Sequence, residues 1–191
     1  MSLVVCPGAH PLTWTQAFLR QLDESFPERR LVRHVFPAHE QSPWSAYALR
    51  LFLESVAIAP TDPLIFIAFS AGCVAAAGVA NDWVAQGRPT PVVIALDGWG
   101  VPLPHTFPSY RLSHDRFTHE TSAWLGSGNA SFYADPPVSH QQLWCNPAKV
   151  RGRQVGRFPV SEHPIGLPTT ALQFLAVCVG QHFGHPVPNS I

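Results

Sequence analysis

A single hydroxyl side chain, that of Ser70, lies between small residues where an apolar run of the sequence ends. The run 64–69, LIFIAF, is typical of a buried strand, and the alanine-rich stretch after Ser70 is typical of a helix. Small side chains at Ala68 and Gly72 permit the sharp turn that joins such a strand to such a helix. The helix would direct free backbone N–H groups, and the positive end of its dipole, at a negative charge beside the serine. Ser70 is therefore a candidate nucleophile, and the alternative is that it only caps the helix.

The segment 68–72, AFSAG, resembles the nucleophile elbow of the α/β-hydrolase superfamily, whose usual pattern is G-x-S-x-G. The first position departs from that pattern, because this chain has Ala68 where glycine is usual. The resemblance spans roughly residues 3 to 183 and implies a serine hydrolase that acts through an acyl-enzyme. It also implies an oxyanion hole built from two backbone amides, one of Ala71 and one of either Ala9 or His10 in the loop after the first strand.

The resemblance also implies where the general base lies, because the superfamily has the chain order nucleophile, acid, histidine. The histidine of that order follows the last strand. In this chain His140 follows the strand-like segment 130–134 and precedes a helical start at 141–144. His140 is thus the predicted base, and His163, which also precedes a helix, is the alternative.

Two aspartates compete for the role of the acid that orients this histidine. Asp115 follows the strand-like segment 110–113, which is the acid's usual place in the superfamily, and it is the preferred residue. Asp97 ends the apolar segment 92–96, a position similar to the one used by thioesterase domains of peptide- and fatty-acid-synthesising enzymes. Each also has a structural alternative, since Asp115 could cap the next turn and Asp97 could belong to a turn with Gly98.

Trp99 follows Asp97 at the carboxyl end of a predicted strand, where α/β sheets bind their ligands, so we expect it to line the substrate pocket. Neither G-x-G-x-x-G nor a P-loop motif is present, and we expect no cofactor. The segment 114–119, HDRFTH, contains neither an H-E-x-x-H helix nor a cysteine pair, and we expect no metal. The four cysteines lack C-x-x-C spacing and are predicted to be buried thiols.

Short β-branched or aromatic runs alternate along the sequence with longer helix-like segments, and these elements must position the side chains named above. This alternation is typical of a parallel sheet covered on both faces, and it predicts a three-layer α/β/α sandwich with a mainly parallel sheet of about six strands. The predicted strands are 3–6, 30–36, 64–69, 92–96, 110–113 and 130–134. The predicted helices are 12–25, 44–56, 71–86 and 169–183.

Size and charge limit the remaining possibilities. The 191 residues are the usual length of one domain and contain no visible linker, so we predict a single domain over 1–191. The 12 Lys and Arg residues balance 12 Asp and Glu residues, which gives no electrostatic footprint for nucleic acid or for an anionic membrane. The first residues lack the features of a signal peptide, so we expect a cytoplasmic protein. The oligomeric state stays open.

The sequence as a whole predicts a serine hydrolase that cleaves a small-molecule ester or thioester. The alternative, from a different class, is a hydrolase-fold protein that binds a small molecule or a protein partner without turnover. The two differ in one observable, which is whether Ser70 reacts covalently.

Overall fold

The computed structural model describes residues 2–25, 32–156 and 168–182. Its strands are β1 Ser2–Cys6, β2 Val32–Val35, β3 Leu64–Phe69, β4 Val92–Leu96, β5 Ser109–Ser113, β6 Ala130–Ala134, β7 Arg151–Gly156 and β8 Pro168–Thr170. Its helices are α1 Leu12–Ser25, α2 Ala46–Ser55, α3 Gly72–Ala85, α4 Arg116–Ala123, α5 His140–Cys145 and α6 Ala171–His182. None of these helices is long and apolar enough to cross a membrane.

The strands form one eight-stranded sheet in the order β2-β1-β3-β4-β5-β6-β7-β8. Pairing is parallel from β2 across to β6, and β7 and β8 add antiparallel strands at one edge. Because β1 to β6 all run in one direction, their carboxyl ends meet at the same edge of the sheet. Residues that follow β3, β4, β5 and β6 are therefore brought close together, although they are far apart in the sequence.

Two hydrophobic cores lie on opposite faces of the sheet, which makes the architecture three-layered. One core packs α1, α5 and α6 against the sheet, and the other packs α2 and α3 against the opposite face. Successive strand residues serve different cores, as with Val4 and Val5 in β1, so these central strands are apolar throughout rather than alternating. Because Ala75, Ala76 and Ala80 have small side chains, α3 packs close to the sheet.

The α/β class and the mostly parallel sheet agree with the prediction, but the predicted count of about six strands is too low. All six predicted strands occur, and the second spans Val32–Val35 in the described residues, with positions 30 and 31 outside them. Sequence reasoning missed β7, whose two glycines and exposed arginines are unusual in strands, and β8, which has only three residues. It also missed α4, because the buried residues of that helix are Thr118 and Ser122 rather than apolar side chains.

Candidate active site

Ser70 lies directly after β3 in a left-handed backbone conformation, with a φ of 53°. Such a φ is uncommon for a residue other than glycine and is held here by neighbouring backbone. The Ser70 N–H donates to the Leu96 carbonyl (2.9 Å), and its own carbonyl accepts from the Cys73 N–H (3.0 Å). The N-cap of α3 is Ala71, and the Ser70 hydroxyl has no hydrogen-bond partner among the described residues. The capping interpretation of Ser70 is therefore wrong.

Two glycines, Gly8 in the loop after β1 and Gly72 at the start of α3, allow this loop to pack against the turn at Ser70. A Cβ on Gly72 would overlap the Cys6 carbonyl oxygen and lie 2.6 Å from that of Pro7. A Cβ on Gly8 would lie 2.9 Å from the Ser70 Cβ. Gly72 thus meets a steric requirement, because the loop after β1, the end of β3 and the start of α3 are in contact.

The same loop contains the two alternatives for the second oxyanion donor. The His10 N–H donates to the Gly8 carbonyl (3.1 Å), so this amide is already engaged. Within residues 2–25 and 32–156, the amides of Ala9 and Ala71 donate to no acceptor. Ala9 is therefore the better candidate of the two. The ring of His10 instead stacks on Trp14, and burial lowers the pKa of His10.

Asp97 follows β4 in the same left-handed region, with a φ of 49°. Its side chain is only 2% exposed and accepts three hydrogen bonds. The backbone N–H of His114 donates to Oδ1 (2.9 Å), while Nδ1 of His114 (3.0 Å) and Nδ1 of His140 (2.7 Å) both face Oδ2. Burial alone would raise the pKa of Asp97, but the hydrogen bonds from the two histidines outweigh it and the pKa lies below its ordinary value.

His140 is the first residue of α5 and is fixed by a helix cap and by a stack of aromatic rings. Ser139 and Gln142 form a reciprocal capping box that sets the start of α5. The His140 ring stacks on Phe69 with centroids 4.4 Å apart, and Phe69 stacks in turn on Trp144 at 4.7 Å. The residue before Ser70 therefore supports the imidazole that points its Nδ1 at Asp97.

The structure brings His140 to Asp97 and not to Asp115, which was the preferred acid. Oδ1 of Asp115 accepts the backbone N–H of Thr118 (2.6 Å), so Asp115 caps α4, which was its structural alternative. Its Oδ2 lies 3.4 Å from Nε2 of His114. The geometry therefore assigns the contact with His140 to Asp97, the second choice from sequence. The alternative base, His163, lies outside the described residues.

His114 is the residue at this site that sequence reasoning did not select. It directly follows β5, so the parallel sheet brings it beside the end of β4 and hence beside Asp97. Its hydrogen bond to Asp97 raises the pKa of His114, against the opposing effect of burial. The available signal was its position at the carboxyl end of a predicted strand that neighbours the one ending at Asp97.

A cavity of about 430 Å³ opens over these side chains. Ser70, Asp97, His114 and His140 all line it, and its remaining wall is mostly apolar. That wall consists of Ala71, Val74, Trp99, Val101, Phe117 and Thr118. Among the described residues that line the cavity, none is Lys or Arg.

The cavity wall that contains Trp99 is tied to α4 and to a buried arginine. The Trp99 indole N–H donates to the Thr121 hydroxyl (3.1 Å). The Arg111 side chain is 2% exposed and donates to four backbone carbonyls, among them those of Val101 (2.7 Å) and Gly126 (2.6 Å). Arg111 thereby connects the turn after α4 with the loop after β4, which contributes Trp99 and Val101 to the wall.

Two further chemistries can be judged from the geometry. One donor atom each from Asp97, His114 and His140 lies within 4.8 Å of the others, so this set could hold a metal ion, although the sequence predicted no metal site.

The four cysteines are free and buried, and burial raises the pKa of Cys73 to about 12. Its thiol is therefore protonated at neutral pH and is not a nucleophile.

Comparison of the chain with known protein families, with curated proteins and with solved structures finds no match. Family membership therefore adds nothing to the geometry, and the function is inferred from the site itself.

Proposed function

We propose that this protein is a serine hydrolase of the α/β-hydrolase type, with Ser70 as nucleophile, His140 as general base and Asp97 as the acid that orients the base. The observation that carries the proposal is the convergence of two features on one cavity. These are a strained serine at a strand-to-helix turn and a histidine whose Nδ1 lies 2.7 Å from a buried carboxylate. Strained backbone at the wall of a cavity is typical of functional sites.

The hydrogen bond to Asp97 determines which nitrogen of His140 does the chemistry. With its ring proton on Nδ1 and donated to Asp97, His140 has its lone pair on Nε2. Nε2 accepts the Ser70 proton as the hydroxyl oxygen attacks an acyl carbonyl, and it then returns that proton to the leaving group. Asp97 stabilises the imidazolium that forms between these steps, and water completes the cycle by cleaving the acyl-enzyme.

The negative charge of the tetrahedral intermediate would be stabilised by the amides of Ala71 and Ala9. Both N–H groups are without an acceptor in the described residues and are close to Ser70 in sequence or through the Gly8 contact. The start of α3 adds the positive end of its dipole. Such preorganised donors are worth about 100-fold or more in rate.

The cavity wall favours an uncharged, apolar acyl group. Its apolar residues include Trp99 and Phe117, which are 65% and 70% exposed and extend the apolar surface to the mouth of the cavity. Because no Lys or Arg is among the described residues of the wall, a leaving group with phosphates, such as coenzyme A, would lack a partner. A neutral ester is therefore preferred over a coenzyme A thioester, a choice that the sequence left open.

The proposal is tested by hydrolysis of p-nitrophenyl esters of increasing acyl length, with the wild type, Ser70→Ala and the control Ser55→Ala. Ser55 is an exposed serine at the end of α2 that does not line the cavity. We expect Ser70→Ala to lower kcat by about 10⁴-fold or more and Ser55→Ala to have no effect. Hydrolysis that survives in Ser70→Ala would refute the proposal.

One observation favours the alternative of a protein that binds a ligand without turnover. The Ser70 hydroxyl has no hydrogen bond to His140 in the described residues, although such contacts often tighten only when substrate binds. If this alternative holds, the wild type will bind a neutral ester, measured as a change in Trp99 fluorescence against a Trp99→Phe control, and release no product.

A further inference from the structure

We propose that Asp97, His114 and His140 form an inhibitory binding site for a divalent ion of the zinc type. An ion held there would stop His140 from acting as a base. The inhibition rests on the proposed function, whereas the binding itself does not.

The donor set exceeds what a catalytic triad needs, because a triad has one imidazole on its carboxylate and Asp97 has two. Nδ1 of His140 and Nδ1 of His114 lie 2.7 Å and 3.0 Å from the same oxygen, Oδ2. Two imidazole nitrogens and one carboxylate oxygen are a common ligand set for zinc, whose donors lie about 3.3 Å apart when bonded at 2.0–2.1 Å in a tetrahedron. The two nitrogen–oxygen distances differ from this spacing by only about 0.3–0.6 Å, and one donor atom from each of the three residues lies within 4.8 Å of the others.

A second carboxylate, that of Asp115, lies behind His114. Nε2 of His114, the nitrogen that faces away from Asp97, lies 3.4 Å from Oδ2 of Asp115. Histidines that bind metals usually donate their other ring N–H to a carboxylate in this way, which fixes the ring and makes it a better ligand. Asp115 is itself held by the Thr118 N–H on its other oxygen. The preferred acid from sequence thus supports His114 rather than His140.

The three donor residues are accessible from solvent. The three donors line the 430 Å³ cavity, so an ion has a path to them and can keep water at its fourth position. The side chains of His114 and His140 are 26% and 43% exposed, whereas Asp97 is buried beneath them. An ion bound on the cavity side would therefore contact the histidines first and the carboxylate at the base of the site.

Metal binding and general-base catalysis exclude each other here because of the tautomer each requires. An ion on Nδ1 of His140 displaces the proton of that nitrogen, and in the neutral ring the proton then resides on Nε2. Nε2 no longer has a lone pair to accept the Ser70 proton. At His114 the same shift places a proton on Nε2, where it donates to Asp115. Binding therefore replaces the Nδ1–H bond of each ring by an Nε2–H bond and turns the base off, while all bonds between heavy atoms of the protein stay as they are.

The binding half is tested by isothermal titration of the metal-free protein with ZnCl₂, and with MgCl₂ as a control because Mg²⁺ prefers octahedral oxygen ligands. The variants are His114→Gln and Asp115→Asn, and the matched control is His105→Gln, which removes an exposed histidine outside the set. We expect one Zn²⁺ per chain with a micromolar Kd, at least 100-fold weaker binding in His114→Gln and 10- to 100-fold weaker binding in Asp115→Asn. His105→Gln should bind as the wild type does.

Asp115→Asn keeps the oxygen that caps α4, so it tests the site even where His114→Gln fails to fold. No Zn²⁺ binding by the wild type, or binding with unchanged affinity in Asp115→Asn and in a folded His114→Gln, overturns the proposal.

The inhibition half is tested by ester hydrolysis with added ZnCl₂, followed by EDTA. We expect Zn²⁺ to lower the rate, EDTA to restore it, and half-inhibition to require at least 100-fold more Zn²⁺ in His114→Gln. Zinc binding that depends on His114 but leaves the rate unchanged, or a rate that appears only with Zn²⁺, overturns the inhibitory role. A metal-free protein that binds Zn²⁺ through His114 but hydrolyses no ester refutes the proposed function and leaves the metal site standing.

Discussion

Two of the residues at the site, Ser70 and Asp97, adopt a left-handed backbone conformation that is costly for a residue with a side chain. They directly follow the neighbouring strands β3 and β4, and the backbone N–H of each donates a hydrogen bond to the next strand of the sheet. The Ser70 N–H donates to the Leu96 carbonyl, and the Asp97 N–H donates to the Leu112 carbonyl. The strain is therefore stabilised by the rigid sheet. Its effect is to present a hydroxyl and a carboxylate to the same cavity.

At the scale of single residues, exchanging each aspartate for asparagine distinguishes the two candidate acids. Asp97→Asn removes the charge that orients and stabilises His140, so we expect kcat for ester hydrolysis to fall by about 10³- to 10⁴-fold. Asp115→Asn retains the cap of α4 and does not contact His140, so its kcat should fall by less than about tenfold. A larger loss in Asp115→Asn than in Asp97→Asn would contradict the assignment of Asp97.

The Asp97–His114 pair should also make folding stability depend on pH. The pKa of Asp97 is lowered, because the hydrogen bonds from both histidines outweigh the effect of burial. The stabilisation of the fold by charged Asp97 is therefore lost as the pH falls through the pKa of the folded state, which lies below 3.8. The pKa of His114 is raised above 6.5, chiefly by its hydrogen bond to Asp97. The stabilisation of the fold by charged His114 is therefore fully present below pH 6.5, and it is lost as the pH rises through the pKa of the folded state. The pair therefore contributes most between these limits.

The measurement is urea unfolding of the wild type and His114→Gln at about pH 5.5 and about pH 9. The groups that face His114 are Asp97, Asp115 and the His140 ring, and all remain in the variant. We expect the difference in free energy of unfolding to be larger at the lower pH. A difference in free energy of unfolding that is constant, or that grows with pH, would show that the charge of His114 does not stabilise the fold.

At the scale of elements, the turn from β3 into α3 depends on Gly72. Its replacement by alanine places a Cβ against the Cys6 and Pro7 carbonyls, so α3 or the loop after β1 must move. We expect Gly72→Ala to lower the free energy of unfolding by about 1–3 kcal/mol and to reduce activity, since the same loop contains Ala9. The comparison is Gly87→Ala just after α3, where a Cβ meets nothing within 4 Å but the φ of 68° strains an alanine, so this variant should lose stability through its backbone and keep its activity. Unchanged activity in Gly72→Ala would show that this contact does not position the site.

Much of this arrangement could be predicted from the sequence, and the exceptions have physical causes. The strand before Ser70 and the helix after it are strongly apolar, so their pattern is unambiguous. The choice between Asp97 and Asp115 was not accessible, since both follow a strand and only the left-handed turn at Asp97 directs its side chain to His140. His114 was passed over because its role depends on which strands are neighbours, and that information is not local.

At the scale of the whole molecule, the formal charge is zero, and the described residues that line the cavity include no Lys or Arg that could attract an anionic substrate. We expect kcat/KM for a neutral ester to change by less than about twofold between about 0.05 and about 0.5 M NaCl. An anionic ester of equal length should be a poorer substrate. For the anionic ester, a tenfold or greater fall in kcat/KM over the same salt range would show that cationic groups attract it to the cavity, and would contradict this expectation. The cytoplasmic location stays a prediction from sequence.

The most direct test of the account is covalent labelling of the purified protein by a fluorophosphonate, with the adduct located by mass spectrometry. The account predicts one adduct on Ser70, none in Ser70→Ala, and labelling that is slower by at least about 100-fold in Asp97→Asn, because the probe reacts only with an activated serine. The absence of an adduct in a folded protein, or an adduct on another serine, would contradict the claim that Ser70 is a nucleophile activated by His140 and Asp97.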